Sequence, residues 1–235
     1  MILARSLIFA ALFYLWSTVL AIIMLPLLLA PRRWMLAMAT FWAAGVRALL
    51  APVCGVRVEF RGLEHLPTGA ALIAGKQNCM FDTMGPLLVL TDACYVMRKE
   101  LTRIPVYGAF TMKAGTIVVD REGGAGALRK LVADARKAIF ERRQVFIFPE
   151  GSRMAPGETG AYKPGIAALY RDLGMACTPM ATNSGAHWPA HGFIRRPGLI
   201  VYEFLPPIPE GMHRAEFMRT LKERIEPASL ALLKE

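Results

Sequence analysis

The chain is poor in the residues that usually announce a chemistry. Its 235 residues include only four histidines and four cysteines. The cysteines (Cys54, Cys79, Cys94 and Cys177) show no paired spacing, which argues against a disulfide framework and reads as free cytoplasmic thiols. His187 and His191 flank Trp188-Pro189, but no cysteine or carboxylate cluster joins them, so no metal site is expected. There is no Gly-x-Ser-x-Gly elbow, which removes support for a serine hydrolase. Gly123-Gly124-Ala125-Gly126 lacks the lysine of a nucleotide phosphate loop and reads as a turn. No internal repeat or low-complexity linker is present. No basic stretch is interleaved with aromatics either, so a nucleic-acid partner is not expected despite the net charge of +10. That charge points instead to anionic lipid or phosphate.

Charge is absent altogether from Ser6 to Pro31. As one helix this run would reach roughly 39 Å at about 1.5 Å per residue, enough to cross a hydrocarbon core of about 30 Å. Its length, and Pro31 directly after Ala30, argue against a cleaved signal peptide. A second apolar segment, Trp34 to Pro52, carries Arg47 and reads as a helix that lies in the interface or returns partway, packed against the first. Arg32, Arg33, Arg47 and Arg57 outweigh Arg5 on the other flank, which predicts that the larger part stays cytoplasmic, at a bacterial-type inner membrane. The expected organisation is an N-terminal membrane-anchoring pair of helices over residues 1–52 and one α/β domain over 53–235.

Beyond Gly55 the pattern alternates. Candidate strands are Val56–Phe60, Ala71–Ala74, Cys94–Met97, Thr116–Val119, Val145–Phe148, Ala176–Ala181 and Leu199–Phe204. Several are unbroken apolar runs, which indicates strands covered on both faces. Gly126–Arg143 places Leu128, Leu131, Val132, Ala135 and Ile139 on one helical face and reads as a crossover helix with a basic outer surface. A last helix is expected from about His213 to Ile225, with a short remnant after Pro227. The fold class is therefore α/β, a mostly parallel sheet flanked by helices.

The most informative stretch follows the apolar run Val145-Phe146-Ile147. Phe148-Pro149-Glu150-Gly151-Ser152-Arg153 breaks a buried strand at proline, turns on glycine, and groups a carboxylate, a hydroxyl and a guanidinium. Arginine binds phosphate bidentately, and glycine leaves room for backbone N–H groups to approach an oxyanion. Upstream, Gly75-Lys76-Gln77-Asn78-Cys79-Met80-Phe81-Asp82-Thr83 follows a predicted buried strand, where open α/β folds place their sites. Between them lie Arg98-Lys99-Glu100-Leu101, then Ile104-Pro105 and Gly108, ending in Val119-Asp120-Arg121. Thr178-Pro179-Met180 comes last.

In order and spacing, from about Ala70 to Pro209, this set resembles the 1-acyl-sn-glycerol-3-phosphate acyltransferases, glycerolipid acyltransferases that make phosphatidic acid from lysophosphatidic acid. Phe148–Arg153 matches their Phe-Pro-Glu-Gly-Thr-Arg block with serine for threonine. Lys99-Glu100-Leu101, Ile104-Pro105, Gly108 and Val119-Asp120-Arg121 match as well. The resemblance implies acyl transfer from acyl-ACP or acyl-CoA, used as co-substrate with no cofactor and no metal, to lysophosphatidic acid in phospholipid biosynthesis. It implies that Asp82 orients a catalytic histidine. Arg121 and the turn of Glu150, Gly151, Ser152 and Arg153 would hold the glycerol phosphate, with Lys99 and Lys113 adding positive potential. Thr178-Pro179-Met180 would shape the acyl side.

One more absence then matters most. The family's first block sets a histidine five places before its carboxylate, and five places before Asp82 stands Gln77. Asn78-Cys79 also departs from the family's Gln-Ser. A neutral imidazole can take the acceptor hydroxyl proton as the thioester is attacked, whereas a glutamine amide is not a base at neutral pH. Three explanations stay open: an engineered replacement, a natural impaired relative that binds a lysophospholipid or phospholipid without turnover, or another base. Cys79 and His65 are the nearby candidates for that base.

Overall fold

The computed structural model describes residues 1–235. In chain order its main elements are helices α1 (Ile2–Met24) and α2 (Arg32–Cys54), strands β1 (Val56–Arg61), β2 (Ala71–Gly75) and β3 (Ala93–Arg98), and helix α3 (Tyr107–Lys113). Then come β4 (Ile117–Val119), α4 (Gly124–Phe140), β5 (Gln144–Ile147), α5 (Pro164–Leu173), β6 (Cys177–Thr182), the single turn α6 (Ser184–His187), β7 (Gly198–Phe204) and α7 (Arg214–Leu232). All seven expected strands are present, each within a residue or two of its predicted bounds.

The strands form one sheet in the order β1-β7-β6-β2-β5-β3-β4. β6, β2, β5, β3 and β4 run parallel, while β7 pairs antiparallel with β6 and carries β1 beside it. β2, β5 and β6 are buried along their whole length. The two-residue period of a strand divides them cleanly. Ile73 and Phe146 face one core with Leu50 of α2, while Leu72 and Val145 face the other with Leu131 of α4, Leu169 of α5 and Phe217 of α7. The N-terminal helices are thus not a detached stalk. Ala43, Val46 and Leu50 of α2, and Phe9 and Phe13 of α1, belong to the same core as the sheet.

Two helical expectations are corrected. The uncharged run is not a single helix, because Pro26 removes a backbone donor and the chain tightens into a 3-10 turn over Leu25–Leu29 before turning into α2. The last helix does not end at Ile225. It continues through Pro227 to Leu232, and the residues on either side of the proline explain why. Glu226 is fixed by three side-chain contacts described below, and Leu232 packs on Ala181 and Val201.

Arg32, read as part of a positive flank, has a structural partner. Its guanidinium forks onto Asp92 at 2.6 and 2.8 Å, and buried Arg143 donates to the same carboxylate at 3.0 Å, tying α2 to the domain. Burial pushes the Asp92 carboxyl up, but the Arg32 and Arg143 hydrogen bonds outweigh it and hold the group below its usual range. A depressed carboxylate stabilises the fold above its unfolded pKa of about 3.9 and loses that contribution as pH falls through the folded value. Asp92→Asn is therefore expected to destabilise the protein at pH 7 by about 1–3 kcal/mol, with a smaller gap to the parent at pH 3. Thermal unfolding of both at the two pH values checks this.

Candidate functional site

β2 and β5 are neighbours and parallel, so the chain leaves the sheet at the same end from both. From β2 comes the loop of Gln77 to Asp82, and from β5 the turn of Glu150 to Arg153. Several bonds fasten one to the other. Met154 N donates to Gln77 O at 2.9 Å, and Asn78 Nδ2 donates to Met154 O at 2.9 Å. Arg121, arriving from the end of β4, donates to the Gly151 carbonyl. The structure thus brings Gln77, Asp82, Arg121, Gly151, Ser152 and Arg153 to one end of the sheet. Ser152 and Arg153 are exposed, and Gln77 is half-buried.

Gly151 has φ +66°, a left-handed conformation. A Cβ there would come within 2.5 Å of the Arg121 guanidinium. Any other residue would strain the backbone and push Arg121 off the turn.

Asp82 is fully buried and organises the loop around itself. Its Oδ2 accepts from Asn78 N at 2.6 Å and Cys79 N at 2.8 Å, and its Oδ1 accepts from the Tyr202 hydroxyl at 2.9 Å. Burial nevertheless raises its pKa, with these hydrogen bonds pulling the other way, because no cation faces it.

Glu150 departs from its expected place on a substrate phosphate. It is 2% exposed and turned inward, where Oε1 accepts from Lys76 Nζ at 2.9 Å and Gly160 N at 2.7 Å. Lys76 also donates to Glu226 Oε2 at 2.7 Å and to the Glu158 carbonyl at 2.7 Å. Glu226 in turn accepts from Thr159 at 2.9 Å and Tyr162 at 2.8 Å. One buried lysine and two carboxylates therefore brace the Gln77 loop and the Gly151 turn from beneath. Burial pushes Glu150 up, and the Gly160 and Lys76 hydrogen bonds pull it back.

Other expected residues fall elsewhere. Lys99 is held by Asp120 at 2.8 Å, next to Arg121. Thr178, Pro179 and Met180 are buried in β6 as core rather than as lining. No substitute base emerges for Gln77. The Cys79 thiol is buried and pushed well above its ordinary pKa, first by burial and then by Asp82. His65 stands on the turn before β2, where its carbonyl accepts from Thr178 near the start of β6, at the opposite end of the strands. His187 Nδ1 meets the Arg196 carbonyl at 3.2 Å.

Tyr202, Glu226 and Tyr162 were not legible as site residues. Tyr202 sits in an ordinary apolar strand, and Glu226 beside a proline that reads as a helix end.

Residues 57–183 match the Acyltransferase family, and the chain belongs to it. Among curated proteins it is 30% identical over 159 residues to a 1-acyl-sn-glycerol-3-phosphate acyltransferase of Pseudomonas aeruginosa, covering 68% of this chain and 62% of that one. It is 25% identical over 185 residues to the mouse 1-acyl-sn-glycerol-3-phosphate acyltransferase alpha, covering 77% and 65%. The chain thus matches somewhat less than two thirds of each relative's length. Its fold superimposes on the crystal structure of a 1-acyl-sn-glycerophosphate (LPA) acyltransferase, PlsC, from Thermotoga maritima, with a TM-score of 0.83 at 17% identity, covering 100% and 99% of the two chains. At that identity the match speaks for the fold alone.

Proposed function

We propose that the chain moves a fatty acyl group from acyl-ACP or acyl-CoA to the free hydroxyl of lysophosphatidic acid, giving phosphatidic acid, and that Gln77 makes it a slow catalyst. The observation that carries this reading is the convergence of the Gln77–Asp82 loop, Arg121 and the Gly151–Arg153 turn at one end of the parallel sheet. Arg121 and Arg153 would hold the phosphate, with Gly151 and Ser152 offering backbone and hydroxyl hydrogen bonds. Glu150 shapes the turn from inside rather than meeting the phosphate. The acceptor oxygen attacks the thioester carbonyl, a C–O bond forms, the C–S bond breaks, and the proton ends on the departing thiolate. With an imidazole at position 77 that proton would be relayed, with Asp82 as its anchor. With an amide the hydroxyl is only positioned.

A second reading, a relative that holds a lysophospholipid or phospholipid without turnover, is favoured by Gln77 and by the buried, neutral state of Cys79. Both readings put a phosphate on Arg153. Equilibrium binding of lysophosphatidic acid to the unaltered chain should therefore be saturable and weaken about tenfold or more in Arg153→Met. Equal binding by both proteins would sink both readings.

The lipid substrate also suits the outer face of the helices. Ile8, Leu15, Ile22 and Ile23 of α1, with Leu29, Trp34 and Phe41, are exposed although apolar. α1 and α2 are each long and apolar enough to cross a membrane. Because their inner faces pack into the core of the domain, an attachment lying in the membrane interface fits them better than a free span. The sheet would then lie on the cytoplasmic side.

A further inference from the structure

Between α1 and the loop of residues 188–195 lies a groove of about 150 Å³ that reaches Met80 and Arg153 at the candidate site. Its walls are apolar and aromatic, with Phe9 and Phe13 of α1 and Phe193 of the loop. Inside it is a cation that the fold does not neutralise. Arg195 is 9% exposed, yet no carboxylate lies within ion-pair distance, and its Nε has no hydrogen-bond partner. Its guanidinium lies 4.1 Å over the Trp188 ring, and its remaining side-chain bonds are long ones, 3.3 and 3.5 Å, to the Gly192 and Ile194 carbonyls. The groups that act on its charge are the Cys79 and Cys54 thiols and the Tyr14 hydroxyl, none of them a carboxylate. Burial lowers the pKa of this guanidinium, a sign that its charge is uncompensated. A buried charge without a counter-ion is costly and is normally paired. The second arginine lining the groove, Arg153, is exposed and also lacks a carboxylate partner.

We propose that this groove is the binding site of a single-chain anionic lipid, whose phosphate is held between Arg195 and Arg153 and whose acyl chain runs along Phe9, Phe13 and Phe193. The occupant is the lysophosphatidic acid acceptor itself, so the inference rests on the reading above and adds Arg195 as a phosphate ligand and α1 as a wall of the site. Trp188 holds the guanidinium in place from below, stacked at 5.6 Å on Phe81, the residue beside Asp82. Charge and shape agree: two arginines without carboxylate partners, lining a groove whose other walls are mostly apolar, match a phosphate on a hydrocarbon chain.

The test uses the full chain in non-ionic detergent and three probes: lysophosphatidic acid, the monoacylglycerol that lacks its phosphate, and glycerol 3-phosphate. The unaltered protein should prefer lysophosphatidic acid to monoacylglycerol by about 10- to 100-fold. Arg195→Gln should erase most of that preference while leaving monoacylglycerol binding in place. Arg195→Lys, which keeps the charge, should retain part of it. Ala10→Phe, which fills the groove, should weaken both lipids and spare glycerol 3-phosphate. A preference that survives Arg195→Gln, or lipid binding that ignores Ala10→Phe, overturns the proposal. The two readings fail separately. If Gln77→His acylates lysophosphatidic acid with a KM indifferent to Arg195→Gln, the groove falls and the enzyme stands. If it acylates nothing while lysophosphatidic acid binding still depends on Arg195, the enzyme falls and the groove stands.

Discussion

Gln77→His is expected to raise the rate of acyl transfer to lysophosphatidic acid by about 10²- to 10⁴-fold, the usual worth of a positioned general base. The surroundings already suit an imidazole. The loop that carries position 77 is tied to the Gly151 turn through the Gln77 carbonyl, and Asp82 waits behind it with backbone and Tyr202 hydrogen bonds but no cation. A carboxylate offers about four lone-pair sites, so Oδ1 can accept an imidazole N–H beside the tyrosine hydroxyl. The gain should depend on that support: Gln77→His combined with Asp82→Asn should recover only a small part of it. Phosphatidic acid formation under saturating lipid and thioester checks both variants. If the unaltered chain is already as fast as Gln77→His, another group takes the proton and the role given to position 77 is wrong.

The second large effect concerns stability. Lys76→Met should destabilise the fold by about 3–5 kcal/mol, because it leaves the Glu150 and Glu226 carboxylates buried together without their cation. For a chain of this size that corresponds to a fall in Tm of about 6–20 °C. Adding Glu150→Gln and Glu226→Gln should return much of the loss, since the uncompensated charge is then gone. Unfolding by denaturant, with the single, double and triple variants compared as a cycle, measures the coupling. A loss under about 1 kcal/mol for Lys76→Met would mean that the three groups are solvated and do not brace the site. Because Lys76 precedes Gln77 and Glu150 precedes Gly151, the same variant placed on Gln77→His should also lower its turnover.

What could be read from the sequence, and what could not, follows from the range of the interactions. The strands were legible because β2, β5 and β6 are covered on both faces and need unbroken apolar runs, which turn residues then bound. The Gln77–Asp82 loop and the Phe148–Arg153 turn were legible as local motifs at strand ends. The cluster under them was not: Lys76 meets Glu150 across 74 residues and Glu226 across 150. Nothing local in the sequence records a pairing of that reach. Glu150 looked like a ligand for the same reason, since a carboxylate in an exposed-looking turn gives no sign of an inward partner. α1 was legible as apolar, but apolarity alone did not say that Phe9 and Phe13 turn inward onto Trp188. Pro227 misled because its usual effect is to end a helix, and here the anchored Glu226 and the packing of Leu232 outweigh it.

The most direct test of the account is phosphatidic acid formation from lysophosphatidic acid in liposomes, with acyl-ACP and acyl-CoA offered separately to the unaltered chain and to Gln77→His. The account predicts slow product from the unaltered chain, a strong rise in Gln77→His with at least one donor, and no acyl group left on the protein. Failure of both proteins to form phosphatidic acid with either donor, with neither binding lysophosphatidic acid, would contradict it.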